Sequence, residues 1–482
     1  MTIKTLDKTT AKVPKLKRAQ IVLDFLSAAF TGTAQAEFYN TKDEQRDALL
    51  ATHSPVLEAY REFYALLLLS NINDLNKQII IYNLCKQGKG LSKKQREFEN
   101  EVMFQALTSM QIQRAYKTFK MLAYLKVNNA RTRKLAQTFL QSRENIAFEA
   151  LKYKSTIKEL VIHNHIFVDS EIFNFLFDKK KEFKNKLFKD YIKAKTDIEA
   201  VYRLPYSVAE GFAAHHKIPR EEFLEKIKKN MTQGEKLRMQ NAAKEKGVDV
   251  EADWKQFSLV QLFKFLRTQD DIDEKEAREI ITSVAKKDAK NVFVEFEDIA
   301  VVVDNSASSY GSDEKKNHPI AVAQSIVEVV GLKSNVMSVF LVNDKGGETP
   351  LLYPVGGSTN LASSIMGALR MEPKELMIIS DGYENEPAGL TAQILRAYKA
   401  KINPNLRVYH INPVFAAETE TTRSLGEDIP VVGIRDTKQL QTSMFLLKAR
   451  EDLNLAIEEF KGYLENKKQN INLNEVKNYL LN

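Results

Sequence analysis

The stretch "DIAVVVDNSASSYGS", residues 298–312, decides how this chain is read. An apolar run, Ile299–Val303, ends in Asp304 and then in serines at alternate positions, Ser306 and Ser308. A short Val/Ile run without polar alternation marks a strand covered on both faces, as in a parallel sheet flanked by helices. The acid and hydroxyls that follow lie where open parallel sheets bind ligands, outside the carboxyl ends of their strands.

Downstream, strand-like and helix-like runs alternate: "HPIAVAQSIVEVV", "NVMSVFLVN", "LASSIMGALR", "ELMIISD", "TAQILRAYKA" and "NLRVYHI". This predicts a doubly wound, Rossmann-like α/β domain over 292–482, with "ETPLLYP" as an antiparallel edge strand. From Thr437 the pattern is helical again, and that tail either closes the α/β domain or packs back on what precedes it.

Two more polar positions fall at strand ends. Thr359 lies in the Gly-rich "VGGSTNLAS" before a helix, and Asp381 ends a strand in "MIISDGYENEP". Two carboxylates and three hydroxyls are hard oxygen donors, suited to Mg²⁺ or Mn²⁺ rather than to zinc. Alternate spacing lets a tight turn aim Asp304, Ser306 and Ser308 at one point, and Gly356 and Gly357 allow close backbone approach. The set Asp304, Ser306, Ser308, Thr359 and Asp381 resembles the metal-ion-dependent adhesion site of von Willebrand factor A domains. That resemblance implies that the hydroxyls ligate directly and the aspartates largely through water. The bland alternative is a group of helix caps and turn residues.

A catalytic reading fits less well. An aspartyl-phosphate enzyme needs a second carboxylate where Ser306 stands, and no motif links His318 or His410 to the serines as a base. His318, ahead of Pro319, reads as a surface or capping residue. Neither a Walker-type loop nor a dinucleotide fingerprint follows a strand, so a binding site rather than an enzyme is expected.

Residues 15 to 286 read as helix after helix, for example "PVLEAYREFYALLLL", "REFENEVMFQALTSM" and "ARTRKLAQTFLQSRE", joined by short polar links where Gly88, Gly90 and Ser92 punctuate. Many helices in series predict a divergent HEAT-like α-solenoid over 1–291, with a plain bundle as the alternative. The single cysteine, Cys85, excludes an internal disulfide framework and reads as a small core residue. No apolar run is long enough for a membrane span, and the basic start lacks a signal peptide's apolar core, so an intracellular, cytoplasmic protein is expected.

The net charge of +8 is unevenly divided: residues 1–291 hold 52 Lys/Arg against 38 Asp/Glu, and 292–482 hold 19 against 25. A basic half suggests a polyanion partner. Candidate contacts are Arg114, Lys117 and Lys120, three apart on one helix; Arg131, Arg133 and Lys134 at the next helix start; Lys152, Lys154, Lys158 and His163 in "LKYKSTIKELVIHNHI"; and Lys179, Lys180, Lys181 and Lys184 in "FDKKKEFKNK". A solvated helix face is the alternative for each run alone. Tyr116, Phe119, Tyr124 and Tyr153, at helical spacing, read as core rather than as stacking platforms.

A basic helical array followed by an A domain resembles the Ro autoantigen, or TROVE, family, an echo carried also by "KYKSTIKELVIHNHI" and by "YRLPYSVAEGF" with Leu204 and Pro205. The resemblance implies a monomeric ring of helical repeats closed by the A domain. It further implies binding of small noncoding RNAs of the Y type and of single-stranded ends of misfolded RNAs, in concert with an exoribonuclease such as polynucleotide phosphorylase. It places Lys158 and His163 on the RNA surface. The competing reading is a protein-interaction module that captures an acidic partner residue at the metal site without RNA, and a third is a metal-dependent hydrolase or phosphotransferase.

Overall fold

The structure, a computed structural model, describes residues 15–33, 35, 41–88, 90–180, 182–269, 271–292, 294–343, 350–385, 387–414, 423–448 and 460–464. The chain divides into two compact units, one running to Ile80 and resuming at Phe257, the other spanning Ile81–Gln256. The switch from helix to strand comes where the composition changes, between the helix Glu274–Ala289 and the strand β1, Phe296–Val303. The compact units nevertheless divide elsewhere, because helices from both sides of the basic half pack onto the sheet domain.

In the unit Ile81–Gln256, helices pack on near neighbours in sequence, as a repeat array requires: Ile112–Tyr124 on Lys154–Asn164, and Ala130–Gln141 on Lys93–Ser109 and on Lys154–Asn164. Ser92, Asn129 and Thr232 each accept an N–H of the first turn of the helix that follows, a contribution of about 1 kcal/mol apiece. Tyr116 and Phe119 are core. The Tyr116 hydroxyl donates to Glu149 Oε2 (2.6 Å), and the Arg143 guanidinium donates to Glu149 Oε1 (2.8 Å), tying two helices and the link between Gln141 and Ile146 through one buried carboxylate. Cys85 is buried beside Met103, and burial pushes its thiol up to about 12, so it is a core residue.

The other unit is built on β1, β2 (Ser334–Leu341), β3 (Glu375–Ile379), β4 (Arg407–Asn412) and β5 (Val431–Gly433), all parallel, in the order β2-β1-β3-β4-β5. Ala300 and Val302 join a core with Leu361, Ile365 and Leu395 on one face. The alternate residues Ile299, Val301 and Val303 are equally buried on the other, where the helix His318–Gly331 packs. Each such side chain contributes about 1.5–3 kcal/mol. The expected antiparallel edge strand is not formed by residues 350–354, which run irregularly, and residues 348–349 lie outside the described residues.

Helices from the basic half complete this unit. Lys15–Thr31 lies on β5, so close that a Cβ on Gly433 would come within 2.6 Å of the Ser27 carbonyl oxygen. The Gln439 amide donates to Asn71 O (3.0 Å), and Asn71 donates back to Lys438 O (2.7 Å). Arg267, just past the helix Leu259–Leu266, donates to Tyr353 O (2.9 Å) and to Gln324. The tail does both things expected of it: Leu440–Lys448 packs on β5, and Phe460 meets Phe63 edge-on at 6.1 Å. Among the described residues no helix is long and apolar enough to cross a membrane.

Gly433→Ala is expected to cost about 1–3 kcal/mol, because the methyl meets backbone rather than a yielding side chain. Gly211→Ala, in the helix Tyr206–His215 with nothing within 4 Å, is expected to gain up to about 1 kcal/mol. Thermal denaturation checks both. An unchanged midpoint for Gly433→Ala would contradict the close helix–strand contact.

Candidate functional site

The register of β1 on β3 builds the first site. Val303 pairs with Ile379, so Asp304 and Ser380 leave the sheet side by side, and the Asp304 N–H donates to Ile379 O (2.9 Å). Strand order reverses here, since β1 lies between β2 and β3, which makes this the topological switch point. Asp304 Oδ1 accepts the Ser306 N–H (3.0 Å), and Oδ2 accepts the Ser380 hydroxyl (3.0 Å). The Ser306 and Ser308 hydroxyls are 3.2 Å apart, and Thr359 Oγ1 donates to Ser306 Oγ (2.9 Å). Asp381 accepts the Tyr383 N–H (3.0 Å) and is hydrogen-bonded to Ser308. The five residues singled out in the sequence are thus brought together.

Backbone contacts lock the two loops. Ala307 N–H donates to Gly357 O (3.1 Å), and Gly356 N–H donates to Asn305 O (3.0 Å). Gly357 has φ +80°, and a Cβ there would come within 2.9 Å of Asn343 Oδ1. Asn305 and Asn343 escaped the sequence reading. The Asn305 side chain accepts the Asn343 N–H (2.9 Å) and donates to Pro354 O (2.8 Å), while Asn343 donates to Gly356 O (2.7 Å). Their only sequence signal is an amide directly after Asp304 and another just past β2.

Asp304 and Asp381 are 3% and 8% exposed. Burial raises the pKa of both, and the Asp304 charge helps push Asp381 up to about 6. A buried pair of like charges ringed by three hydroxyls fits a hard divalent cation, which would neutralise the pair and take the hydroxyl lone pairs. Among the described residues no group of three or more His, Cys, Asp or Glu forms an alternative metal cluster. Ser308, half-buried, marks the mouth, and Arg423 stacks over the Tyr383 ring (3.9 Å to its centroid) beside Asp381. His410 is buried against Ser380 O (3.0 Å), and burial lowers its pKa to about 4. His318, expected as a surface or capping residue, is instead buried at the first position of its helix, with Asn317 at the cap.

The cationic candidates separate into two groups. Arg114, Lys117 and Lys120 share the exposed face of Ile112–Tyr124; Arg133, Lys134, Lys179, Lys180 and Lys184 are also exposed. Lys181 lies outside the described residues. Arg131 points inward instead: it donates to the fully buried Glu99 (2.9 Å), to Asn100 and to Leu84 O, and so is structural. Lys152 is paired with buried Glu235 (3.1 Å), Lys154 with Asp178 (2.6 Å) and the Phe175 ring, and Lys158 lies over Phe177. The side chain of His163 is half-buried, and its Nε2 has no hydrogen-bond partner among the described residues.

The core reading of Tyr124 fails: it is 84% exposed, because it is the last residue of its helix, and Phe167 is 89% exposed. Asn128 donates to His163 O (2.7 Å) and accepts from Arg133 (2.7 Å), and the Gln137 amide accepts the Phe167 N–H (3.2 Å). Phe167 therefore lies beside the helix Ala130–Gln141 that carries Arg133 and Lys134.

The class these features define is a helical repeat array joined to a Rossmann-like A domain. No family model and no curated protein sequence matches the chain. Among solved structures, the crystal structure of the Ro (RSR) protein of Deinococcus radiodurans shares the fold, with a TM-score of 0.52 and 12% identity over 89% of this chain and 99% of that one. The chain has the fold of a Ro, or TROVE, protein.

Without metal, the raised carboxyl pKa values favour the folded state at low pH. That contribution is fully present below the unfolded aspartate value near 4 and is lost as pH rises through about 6. In EDTA the melting temperature is expected to fall between pH 4.5 and 7, and Mg²⁺ or Mn²⁺ to restore it at pH 7 but not at pH 4.5. Asp381→Asn is expected to flatten the EDTA profile. A wild-type protein indifferent to both cations at pH 7 would rule out the metal centre.

Proposed function

We propose that this chain is an RNA-binding scaffold without chemistry of its own. In this reading the unit Ile81–Gln256 carries the RNA, and the sheet unit holds Mg²⁺ or Mn²⁺ at Asp304, Ser306, Ser308, Thr359 and Asp381. The observation that carries it is the exposure, in one unit, of Arg114, Lys117, Lys120, Arg133, Lys134, Lys179, Lys180 and Lys184, of which Lys120 also pairs with Glu159 (3.7 Å), together with the solvent-facing rings of Tyr124 and Phe167. Cations neutralise phosphates and release counterions, while exposed rings offer stacking faces to unpaired bases. The shared fold supports the same assignment, and the family resemblance points to small Y-type noncoding RNAs and single-stranded ends of misfolded RNAs. An exoribonuclease partner and a cytoplasmic site of action belong to the same reading.

The Ser306 side chain is hydrogen-bonded to the Ser308 and Thr359 hydroxyls and to the Asp304 carboxylate, and His410 faces a carbonyl, so no imidazole stands beside the serine as a base, which suits ligation better than nucleophilic catalysis. When bound, the cation supplies an unfilled position for one oxygen of an outside carboxylate or phosphate. Asp304 and Asp381 hold its charge, and Asn305 and Asn343 keep the two loops in register. The half-buried Ser308 at the mouth favours a second role for this centre, capture of an acidic residue of a protein partner.

Filter binding of structured RNA over a salt series is expected to give a log–log slope of several units, at about 0.7–0.9 per phosphate neutralised. Lys117→Glu with Lys134→Glu is expected to lower affinity and slope together. Tyr124→Ala with Phe167→Ala is expected to weaken single-stranded RNA at least tenfold, with an unchanged melting temperature, since each stacked base contributes about 1–3 kcal/mol. Arg131→Ala is expected to cost about 3–5 kcal/mol of stability by leaving Glu99 buried and unpaired. A flat salt response by the wild type would sink the RNA reading.

A further inference from the structure

The sheet has two edges, and the chain treats them differently. β5 is covered by the helices Lys15–Thr31 and Leu440–Lys448. At the other edge β2 packs on β1 and on the helices His318–Gly331 and Leu361–Leu369, and among the described residues no strand pairs with its outer side. Asn335 is exposed, Val336 is 56% exposed, and residues 337–340 are half-buried, whereas the facing stretch of β1 is buried from Ile299 to Val303.

An outer strand presents a row of N–H and C=O groups, and edges are ordinarily blunted by charge, by proline or by a bulge. From Ser334 to Asn343, "SNVMSVFLVN", there is no charged residue and no proline. Pairing with β1 runs in one register from Asp298 and Val336 to Val303 and Leu341, with no bulge between. The apolar surface continues past the strand. Met366 is exposed on the helix Leu361–Leu369, next to Gly367, whose Cβ position is 3.5 Å from Phe340 Cδ1.

We infer that the outer edge of β2 is a self-association surface, on which a second copy of this chain adds its own β2, antiparallel, about a two-fold axis through Ser338. In such a pairing the strand meets its own sequence, so a charge near the middle would face another of the same sign, and β2 carries none. The place of the axis follows from the faces. Phe340 packs with Ala300 and Val302 on one face, and on the other Met337 Cε lies 2.9 Å from where a Cβ on Gly331 would stand. Opposite residues of an antiparallel pair point to the same face, so a two-fold normal to the sheet passes through a residue, not between two. Since the strand runs from Ser334 to Leu341, axes at Met337 and Ser338 allow the longest pairing. About Met337, Val336 would face Ser338, Val339 would face Asn335, and Phe340 would face Ser334, apolar against polar each time. About Ser338, Val336 faces Phe340 and Met337 faces Val339, so apolar meets apolar, and each pair forms twice. The exposed Val336 is then covered, and two five-stranded sheets become one continuous sheet. This departs from the monomer that the family resemblance implies, and it employs no residue of the metal centre and none of the exposed cations.

The test uses the full chain, treated with nuclease so that RNA does not bridge copies, in analytical ultracentrifugation over a dilution series. A dimer that dissociates on dilution is expected. Val336→Lys is expected to weaken it at least about tenfold, because the ammonium would be covered opposite Phe340. The melting temperature of the dilute protein should not change, since Val336 faces water in the single chain. Ser338→Cys is expected to give a disulfide-linked dimer on oxidation by diamide, because facing Cα atoms stand about 4.5–5.5 Å apart, within the span of a disulfide. Asn335→Cys is expected to give none, since it faces Leu341 and its own counterpart is displaced by about 20 Å along the strands. Cys85 is buried and does not contribute a cross-link. A wild type that is monomeric at every concentration, whether or not it takes up a foreign extended peptide, overturns the proposal. So does an Asn335→Cys protein that cross-links as readily as Ser338→Cys.

Discussion

Two buried carboxylates of the same sign, held at the ends of adjacent parallel strands, are the constraint around which the sheet unit is organised. Pairing of Val303 with Ile379 sends Asp304 and Asp381 to one place, and neither has bulk water to screen it. The loops answer that constraint. Donors from Ser306, Ser380 and Tyr383 fix the carboxylates, and the hydroxyls of Ser306, Ser308 and Thr359 line up beside them. Gly357 adopts a backbone conformation that brings Asn343 against the loop. Left as they are, the two charges repel, and a divalent ion held between them would convert that repulsion into attraction.

The basic half uses its charges differently from what their number suggests. Arg131, Lys152 and Lys154 complete buried or partly buried ion pairs, where removing one partner costs more than the pair contributes. They hold helices together and present little charge outside. The exposed residues, from Arg114 to Lys184, make the field that a polyanion would meet. Net charge by itself does not distinguish these roles, since it counts a lysine facing Glu235 and one facing water alike.

What was legible in the sequence follows from range. Asp304, Ser306 and Ser308 could be read because two-residue spacing after a strand fixes their direction locally, and Thr359 and Asp381 because each ends or follows a recognisable element. The parallel sheet was legible in the both-face burial of runs such as Ile299–Val303. Arg131 looked like its neighbours Arg133 and Lys134, because only the helix packed against it, carrying Glu99, separates them. Tyr124 carries the same helical spacing as Tyr116, and only the end of its helix turns it outward. His318 was misread for the same reason, since the helix it begins is packed on by Leu259–Leu266, which ends more than 50 residues earlier. The packing of Lys15–Thr31 on β5 joins segments some 400 residues apart, and no local pattern announces it.

The two kinds of site differ in how they respond to salt. Exposed cations act through a field that fades within about 10 Å at 0.1 M salt, so RNA held by them is released as ionic strength rises. Asp304 and Asp381 act at contact distance in a desolvated pocket, where screening is weak. On the proposed reading, an acidic partner held through a metal would survive salt that strips RNA, and chelation would remove that partner while leaving the exposed cations unchanged. Ionic strength and chelator thus act on different units of the chain, and the order in which they release ligands separates a scaffold for RNA from a scaffold for protein.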